Sequence, residues 1–380
     1  MRHVFADHLF LATLSLVSLF CFVASADAQQ RRFVSNSRMV LGTETQLSAS
    51  VRAGDIDGDG DTDLVVANGR HWPQQNYAFF NQSRARFNVA RPLGVDLSTS
   101  YACELADLDG DGDLDIAVGN DMAPCLVFEN DGRGRFTRHC EIGEPTSVRS
   151  MTTADVNGDG HIDLLLTCRG RPNRIFFNDG KAGFEKSTTF GSKDDSTIDV
   201  AVADLNEDGH VDLILANRDA QANMILLGEG DGKFASGTPF GKTEISSRAV
   251  ATADFNLDGH MDWVMGNIEA ANTIFFGDGK GGVARELNVG SAESRTYCIA
   301  VADFNKDGRP DFVAGNTGQK NAVAFNLKDG TFNLNQFGGS ESASYGVCVS
   351  DLTGDGYADI VIANSNQQNR IFVNQPVKEN

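Results

Sequence analysis

One motif, Asp-x-Asp/Asn-x-Asp-Gly-x-x-Asp, recurs along the chain and restricts the folds open to it. Its copies begin at Asp55, Asp107, Asp155, Asp204, Asp254, Asp303 and Asp351, at spacings of 52, 48, 49, 50, 49 and 48 residues. A fixed period near 50 residues marks an array in which each repeat is one supersecondary unit that buries its apolar face against its neighbours. Such an array explains how about 350 residues form one unit although single cores usually stop growing at about 250 to 300 residues. No Pro/Ser-rich linker or charge block divides the chain.

Within the clearest period, residues 151–154 read as a strand, 155–163 as a loop, 164–167 as a second strand and 174–177 as a third. The turn Asn178-Asp179-Gly180 then leads into a fourth strand beginning at Phe184. Short apolar runs separated by Asn, Asp and Gly clusters are strand and hairpin signals, and no sustained helical periodicity competes with them. Four antiparallel strands per period make a blade. The expected fold is all-β, a seven-bladed β-propeller over residues 29–380. The last copy stops after its third strand at residues 370–374, whereas residues 32–42 resemble the fourth-strand segments 135–143 and 183–191. The N-terminal strand is therefore expected to complete the last blade and close the ring, hiding edges that an open array would expose.

The motif itself is a ring of oxygens. In the first copy Asp55, Asp57, Asp59 and Asp63 occupy positions one, three, five and nine, Gly60 permits the sharp turn, and Asp61 at position seven offers its backbone carbonyl. Six to eight oxygens at about 2.3 to 2.6 Å suit calcium, whereas zinc prefers nitrogen and sulfur. The same five positions are Asp107, Asp109, Asp111, Asp113 and Asp115 in the second copy and Asp155, Asn157, Asp159, His161 and Asp163 in the third. They are Asp204, Asn206, Asp208, His210 and Asp212 in the fourth, and Asp254, Asn256, Asp258, His260 and Asp262 in the fifth. The sixth has Asp303, Asn305, Asp307, Arg309 and Asp311, and the seventh Asp351, Thr353, Asp355, Tyr357 and Asp359. Up to seven calcium sites are expected, the one with Thr353 weakest, and the three histidines are read as exposed side chains. An EF-hand starts with this spacing but needs a Glu at position twelve, where this chain has Val66, Val118 or Leu166.

The charge of −20 has a specific location. Three carboxylates in each of seven loops, with Asp57 and Asp109, account for 23 of 52 acidic residues; the 29 outside face 32 Lys and Arg. The acidity belongs to the loops, and it argues against nucleic acid as a partner. Residues 1–28 have the pattern of a secretory signal peptide: Arg2, an apolar run over residues 9–23 too short to span a membrane, and a small-residue end at Ala26-Asp27-Ala28. Export to the periplasm, cell surface or medium is expected, with no membrane span. Cys125 and Cys140 lie symmetrically about a hairpin turn and read either as a disulfide or as two buried thiols.

At this point the chain resembles the FG-GAP or VCBS repeats of integrin α-subunit propellers and many secreted bacterial proteins. That resemblance implies that the loop oxygens are calcium ligands, that the loops join strands one and two, and that the metals are mainly structural. Integrin-type repeats often continue into Gly-Ala-Pro after the second strand, whereas this chain has Ala67-Asn68, Gly119-Asn120, Ala216-Asn217 and similar pairs. The VCBS branch fits better.

If metal occupies one face, a ligand belongs on the other. Six residues before the loop Asp stand Tyr101, Arg149, Arg248, Tyr297 and Tyr345, which read either as a ring at the central mouth or as strand-entry residues packed between blades. Trp72, in the longest two-to-three loop, is suited to stacking on a sugar or anchoring a protein. No nucleophile motif, phosphate loop or His-rich cluster appears. The main expectation is a monomeric binding or adhesion module for glycans or proteins; the rival is a polysaccharide lyase using Tyr and Arg at the mouth.

Overall fold

A computed structural model of the protein describes residues 30–377; the signal-peptide segment lies outside them. Every element among the described residues is a strand. Among the described residues, no helix is long and apolar enough to cross a membrane.

Each repeat folds as four antiparallel strands in chain order. In the third these are Val148–Ala154, Asp163–Cys168, Asn173–Phe177 and Lys186–Phe190. The fourth strand thus starts two residues after the expected Phe184, which instead packs into the core. Five such sheets are separate, and a sixth joins the two ends of the chain. In it, Arg31–Val34 pairs with the long C-terminal strand Asp359–Pro376, with Arg31 opposite Pro376 and Val34 opposite Val373. The next strand, Val40–Gly54, continues this pairing at Val40 opposite Arg370, then crosses over to pair with Asp63–Asn68. The N-terminal segment therefore supplies the strand that the last repeat lacks.

Second strands such as Asp163–Cys168 and Asp212–Asn217 are buried along their whole length, because both faces of each sheet are covered by neighbouring sheets. The apolar clusters accordingly straddle neighbours. Leu165 and Ile175 of the third repeat pack with Leu213 and Leu215 of the fourth, and Val51 and Leu64 of the first pack with Val361 and Ile371 of the last. First strands lie innermost, each beside the first strand of the next repeat, including Ser344–Ser350 beside Val40–Gly54. This is a β-propeller architecture.

A hydrogen-bonded belt runs from repeat to repeat. At the end away from the Asp loops, Asn76 Nδ2 donates to Ser100 Oγ, which donates to Asn120 Oδ1. The unit recurs as Asn223, Ser247 and Asn267, and as Asn369, Ser48 and Asn68, the last joining the C-terminal strand to the first repeat. These asparagines are buried, and each has a hydrogen-bond partner at both its amide oxygen and its amide nitrogen.

Of the two readings of Cys125 and Cys140, the structure carries the thiols: all six described cysteines are free, with Cys125 buried and Cys140 half-buried. A bulge between Arg138 and Cys140 sets Cys140 opposite Val127, and Cys125 faces Ile142.

Candidate functional sites: acidic loops and central mouth

The loops wrap around their own carboxylates. In the first, Asp55 Oδ1 accepts the Gly58 N–H and Oδ2 that of Gly60, at 2.8 and 3.0 Å, and Asp59 Oδ1 accepts the Asp61 N–H. Gly60 sits at φ 89°, a conformation open to glycine and costly for other residues. The pattern repeats through the seventh loop, where Gly356 donates to Asp351 Oδ2 and Tyr357 to Asp355 Oδ1. With their N–H groups tied inward, positions one and five are held for a common centre.

Position nine does two things. Asp63, Asp115, Asp163, Asp212, Asp262, Asp311 and Asp359 are fully buried. In each, Oδ2 accepts the N–H of loop position two and Oδ1 an N–H at the end of the third strand, as Ile56 and Asn81 do for Asp63. These residues pin loop to sheet as well as offering an oxygen to the centre, a role the ligand spacing alone did not reveal. Burial pushes the carboxyls up, to about 7 at Asp63 and Asp311 and about 6 at Asp115, Asp163, Asp262 and Asp359.

The donor set fits a hard cation. One oxygen from each of Asp55, Asp57 and Asp63 lies within 4.8 Å of the others, and the same holds for Asp107, Asp109 and Asp115. Asp57 Oδ1 is buried with no hydrogen-bond partner. Its carboxyl is pushed up by burial and by the charges of Asp59 and Asp55, a burden a bound cation would relieve.

Position seven differs between copies. His161 and His210 are exposed, and the side chain of His260, also largely exposed, places its Nδ1 2.5 Å from Glu207 Oε1 of the preceding loop. In the sixth loop the guanidinium of Arg309 bonds Asp307, and its Nε donates to Asn326 O at 3.0 Å. A built-in cation already engages one carboxylate there.

At the opposite end, the side chains six positions before each loop come together. Tyr101, Arg149, Arg248, Tyr297 and Tyr345 line one central cavity of about 110 Å³. The first repeat has Ala49 at this offset, and Arg70 from its two-to-three loop fills the gap; the fourth has Ile198 beside Asp199. The rings and guanidinium groups stack: Arg70 lies 3.6 Å from the Tyr345 ring, Arg248 4.2 Å from Tyr297, and Arg149 4.5 Å from Tyr101. Tyr297 and Tyr345 meet edge to face at 4.9 Å. Tyr101 Oη contacts His71 Nδ1 at 3.0 Å, and burial raises the phenol's pKa. Below, Arg52 Nε and Nη2 donate to the two oxygens of Glu104 at 2.8 and 2.5 Å. Asp199 accepts N–H bonds from Val200 and Val250, and burial lifts its carboxyl to about 6. Trp72 does not line the cavity; it is 72% exposed on the same two-to-three loop as Arg70.

Arg70, Arg52, Glu104 and Asp199 were not legible from the offset that marks the tyrosines. Only the pairing of Arg52 with Glu104, 52 residues apart and one repeat on, hints at them.

Comparison with known proteins places this architecture. Among solved structures, the BP39L lectin from Burkholderia pseudomallei has a TM-score of 0.65 and 13% identity, over 87% of this chain and 99% of that one. BBS1N, solved in complex with ARL6DN, has a TM-score of 0.60 and 12% identity over 90% and 96%. The extracellular domain of a one component system from B. thetaiotaomicron has 0.56 and 12% over 90% and 40%. At such identities the likeness speaks to fold alone. A search of curated proteins found no significant match. The model of the FG-GAP-like repeat, in contrast, matches six overlapping segments, 55–118, 107–166, 155–215, 204–265, 254–314 and 303–362. Those matches run from the first acidic loop into the second strand of the last repeat, and the chain belongs to the FG-GAP-like repeat family.

Proposed function

We propose that this protein is an exported, calcium-stabilised binding module: a closed propeller of seven blades whose acidic loops hold calcium at one end and whose central mouth takes a glycan or protein ligand at the other. The observation that carries the reading is the convergence of Tyr101, Arg149, Arg248, Tyr297 and Tyr345, from five different repeats, on one cavity remote from the loops. Core packing alone would favour apolar side chains at that offset; aromatic rings with polar tips and arginines are the residues that dominate recognition surfaces. Asp55, Asp57, Asp59 and Asp63, with their counterparts in the other loops, would supply calcium with carboxylate oxygens, and the carbonyl at position seven would add another. The role of the ion is to neutralise carboxylates that repel one another, which fixes the strand-one to strand-two connection and thereby the inner strands that carry the mouth.

The lyase reading is less well served. A tyrosine acting as base needs a lowered pKa, and burial raises that of Tyr101 while His71 occupies its hydroxyl. A glycan array probed with the calcium-loaded protein and with Tyr297→Ala tests the proposal. Binding of a defined set of glycans, lost in the variant at unchanged melting temperature, supports it; binding that survives both Tyr297→Ala and Tyr345→Ala moves the ligand away from the mouth.

A further inference from the structure

The protein carries a formal charge of −20, yet its mouth is lined by four arginines. Two of them are neutralised. Arg52 forms the two-pronged pair with Glu104, and Arg149 Nη1 lies 3.1 Å from Asp121 Oδ1. The other two have no carboxylate partner among the described residues. Arg70 reaches only the hydroxyl of Ser365, at 3.1 Å. Arg248 Nε is buried without any hydrogen-bond partner.

These two free heads are also the best positioned. Arg70, Tyr345, Tyr297 and Arg248 form one continuous chain of contacts, with guanidinium over ring at each end and the two rings edge to face between. Stacking covers the flat faces of the guanidinium groups and leaves their edges, which carry the N–H donors, for a ligand. A planar carboxylate answers such an edge with two parallel hydrogen bonds. Tyr101 and Tyr345, each with a guanidinium over one ring face, stand beside those donors, and their remaining ring surface suits the apolar face of a pyranose. The cavity, about 110 Å³, is on the scale of a carboxylate with part of a sugar ring.

We propose that the mouth is a receptor for acidic sugars, with Arg248 and Arg70 grasping the carboxylate of a uronate-type residue while the tyrosines pack against its ring. This rests on the reading of the mouth as the binding surface. It adds a ligand charge and a pair of specificity-determining residues.

Isothermal titration of the calcium-loaded full chain with a tetramer of galacturonate, its methyl ester, a neutral glucan tetramer and inorganic sulfate tests it. The acid tetramer should bind, more weakly as salt rises, and the methyl ester about tenfold or more less tightly, since esterification removes the charge-assisted pair. Arg248→Gln should weaken the acid by a similar factor at unchanged melting temperature, and Arg70→Gln serves if that variant fails to fold. Equal affinity for acid and ester, sulfate binding as tight as the tetramer, or indifference to both arginine substitutions would overturn the proposal. Neutral-glycan binding lost in Tyr297→Ala but unmoved by Arg248→Gln would overturn it and leave the binding-module reading standing. Absence of binding by acidic and neutral glycans alike would remove both.

Discussion

Asn81 Nδ2 donates a hydrogen bond of 3.0 Å to the backbone carbonyl of Leu352, 271 residues away. The same amide reaches Thr62 O at 3.1 Å, so one side chain ties the third strand of the first repeat to the acidic loops of both the first and the last. Asn130, Asn178, Asn326 and Asn374 do the same for their own loop and the one before it. In the fourth and fifth repeats the position is Gly228 or Gly277, where a Cβ would come within 2.3 Å of the Val211 or Met261 carbonyl.

If the ring is closed, the junction between last and first repeats should be as strong as an internal one. Asn81→Ala removes two hydrogen bonds to buried carbonyls, as Asn130→Ala does, although Leu352 O keeps the Ala85 N–H at 2.8 Å, and each should cost about 2 kcal/mol. Chemical denaturation should give the two variants similar losses. A costly Asn130→Ala beside a neutral Asn81→Ala would mean that the ends of the chain are only loosely joined.

The sixth loop should hold calcium less tightly than its neighbours, because Arg309 already engages Asp307. Bringing a divalent cation beside a guanidinium adds like-charge repulsion or requires the arginine to swing out. Arg309→Gln should therefore add one resolvable site, or tighten the weakest, in a terbium-luminescence titration. An unchanged isotherm would show that Thr353, and not Arg309, marks the weakest loop.

Asp199 should make the protein more stable as pH falls toward its unfolded value. Its carboxyl is lifted to about 6 in the folded state by burial, against about 4 when unfolded, so the folded form binds the extra proton. Stability attributable to this group rises as pH is lowered from about 7 to about 4, by on the order of 2 kcal/mol, and is lost again above the folded pKa. Ser150, Arg52 and the N–H groups of Val250 and Val200 face it and moderate the shift. Denaturation of wild type and Asp199→Asn at fixed free calcium between pH 5 and 8 isolates the contribution; parallel profiles for the two proteins would contradict it.

The acidic loops, the four-strand period and the strand contributed by the N-terminus could all be read from the sequence, because each depends on residues at fixed offsets from one motif. Tyr101, Arg149, Arg248, Tyr297 and Tyr345 were legible for the same reason, as one position of an inner strand repeated around an axis. What escaped was whatever breaks the period. Arg70 reaches the mouth from an irregular loop, and Asp199 stands one residue beyond the offset. The hairpin register, Asn130 opposite Phe136, already sets Cys125 one residue off Cys140, and the bulge at His139 adds another, offsets that approximate symmetry about a turn does not disclose. The second duty of Asp63 and its counterparts also escaped, since a carboxylate that accepts two N–H bonds and one that binds metal occupy the same place in the motif.

Calcium in the loops is the central claim, and thermal unfolding with and without chelator tests it most directly. Each loop gathers at least three carboxylates, and several are buried without a compensating charge. Ions that bind only the folded state stabilise it by about 2.7 kcal/mol per site at a hundredfold excess over Kd. Scanning calorimetry in millimolar calcium and in excess EDTA should show a fall in melting temperature well beyond 10 °C, about what the loss of several such sites implies for a domain of this size, with full recovery on adding calcium back. Superimposable melting curves in calcium and EDTA would contradict the claim.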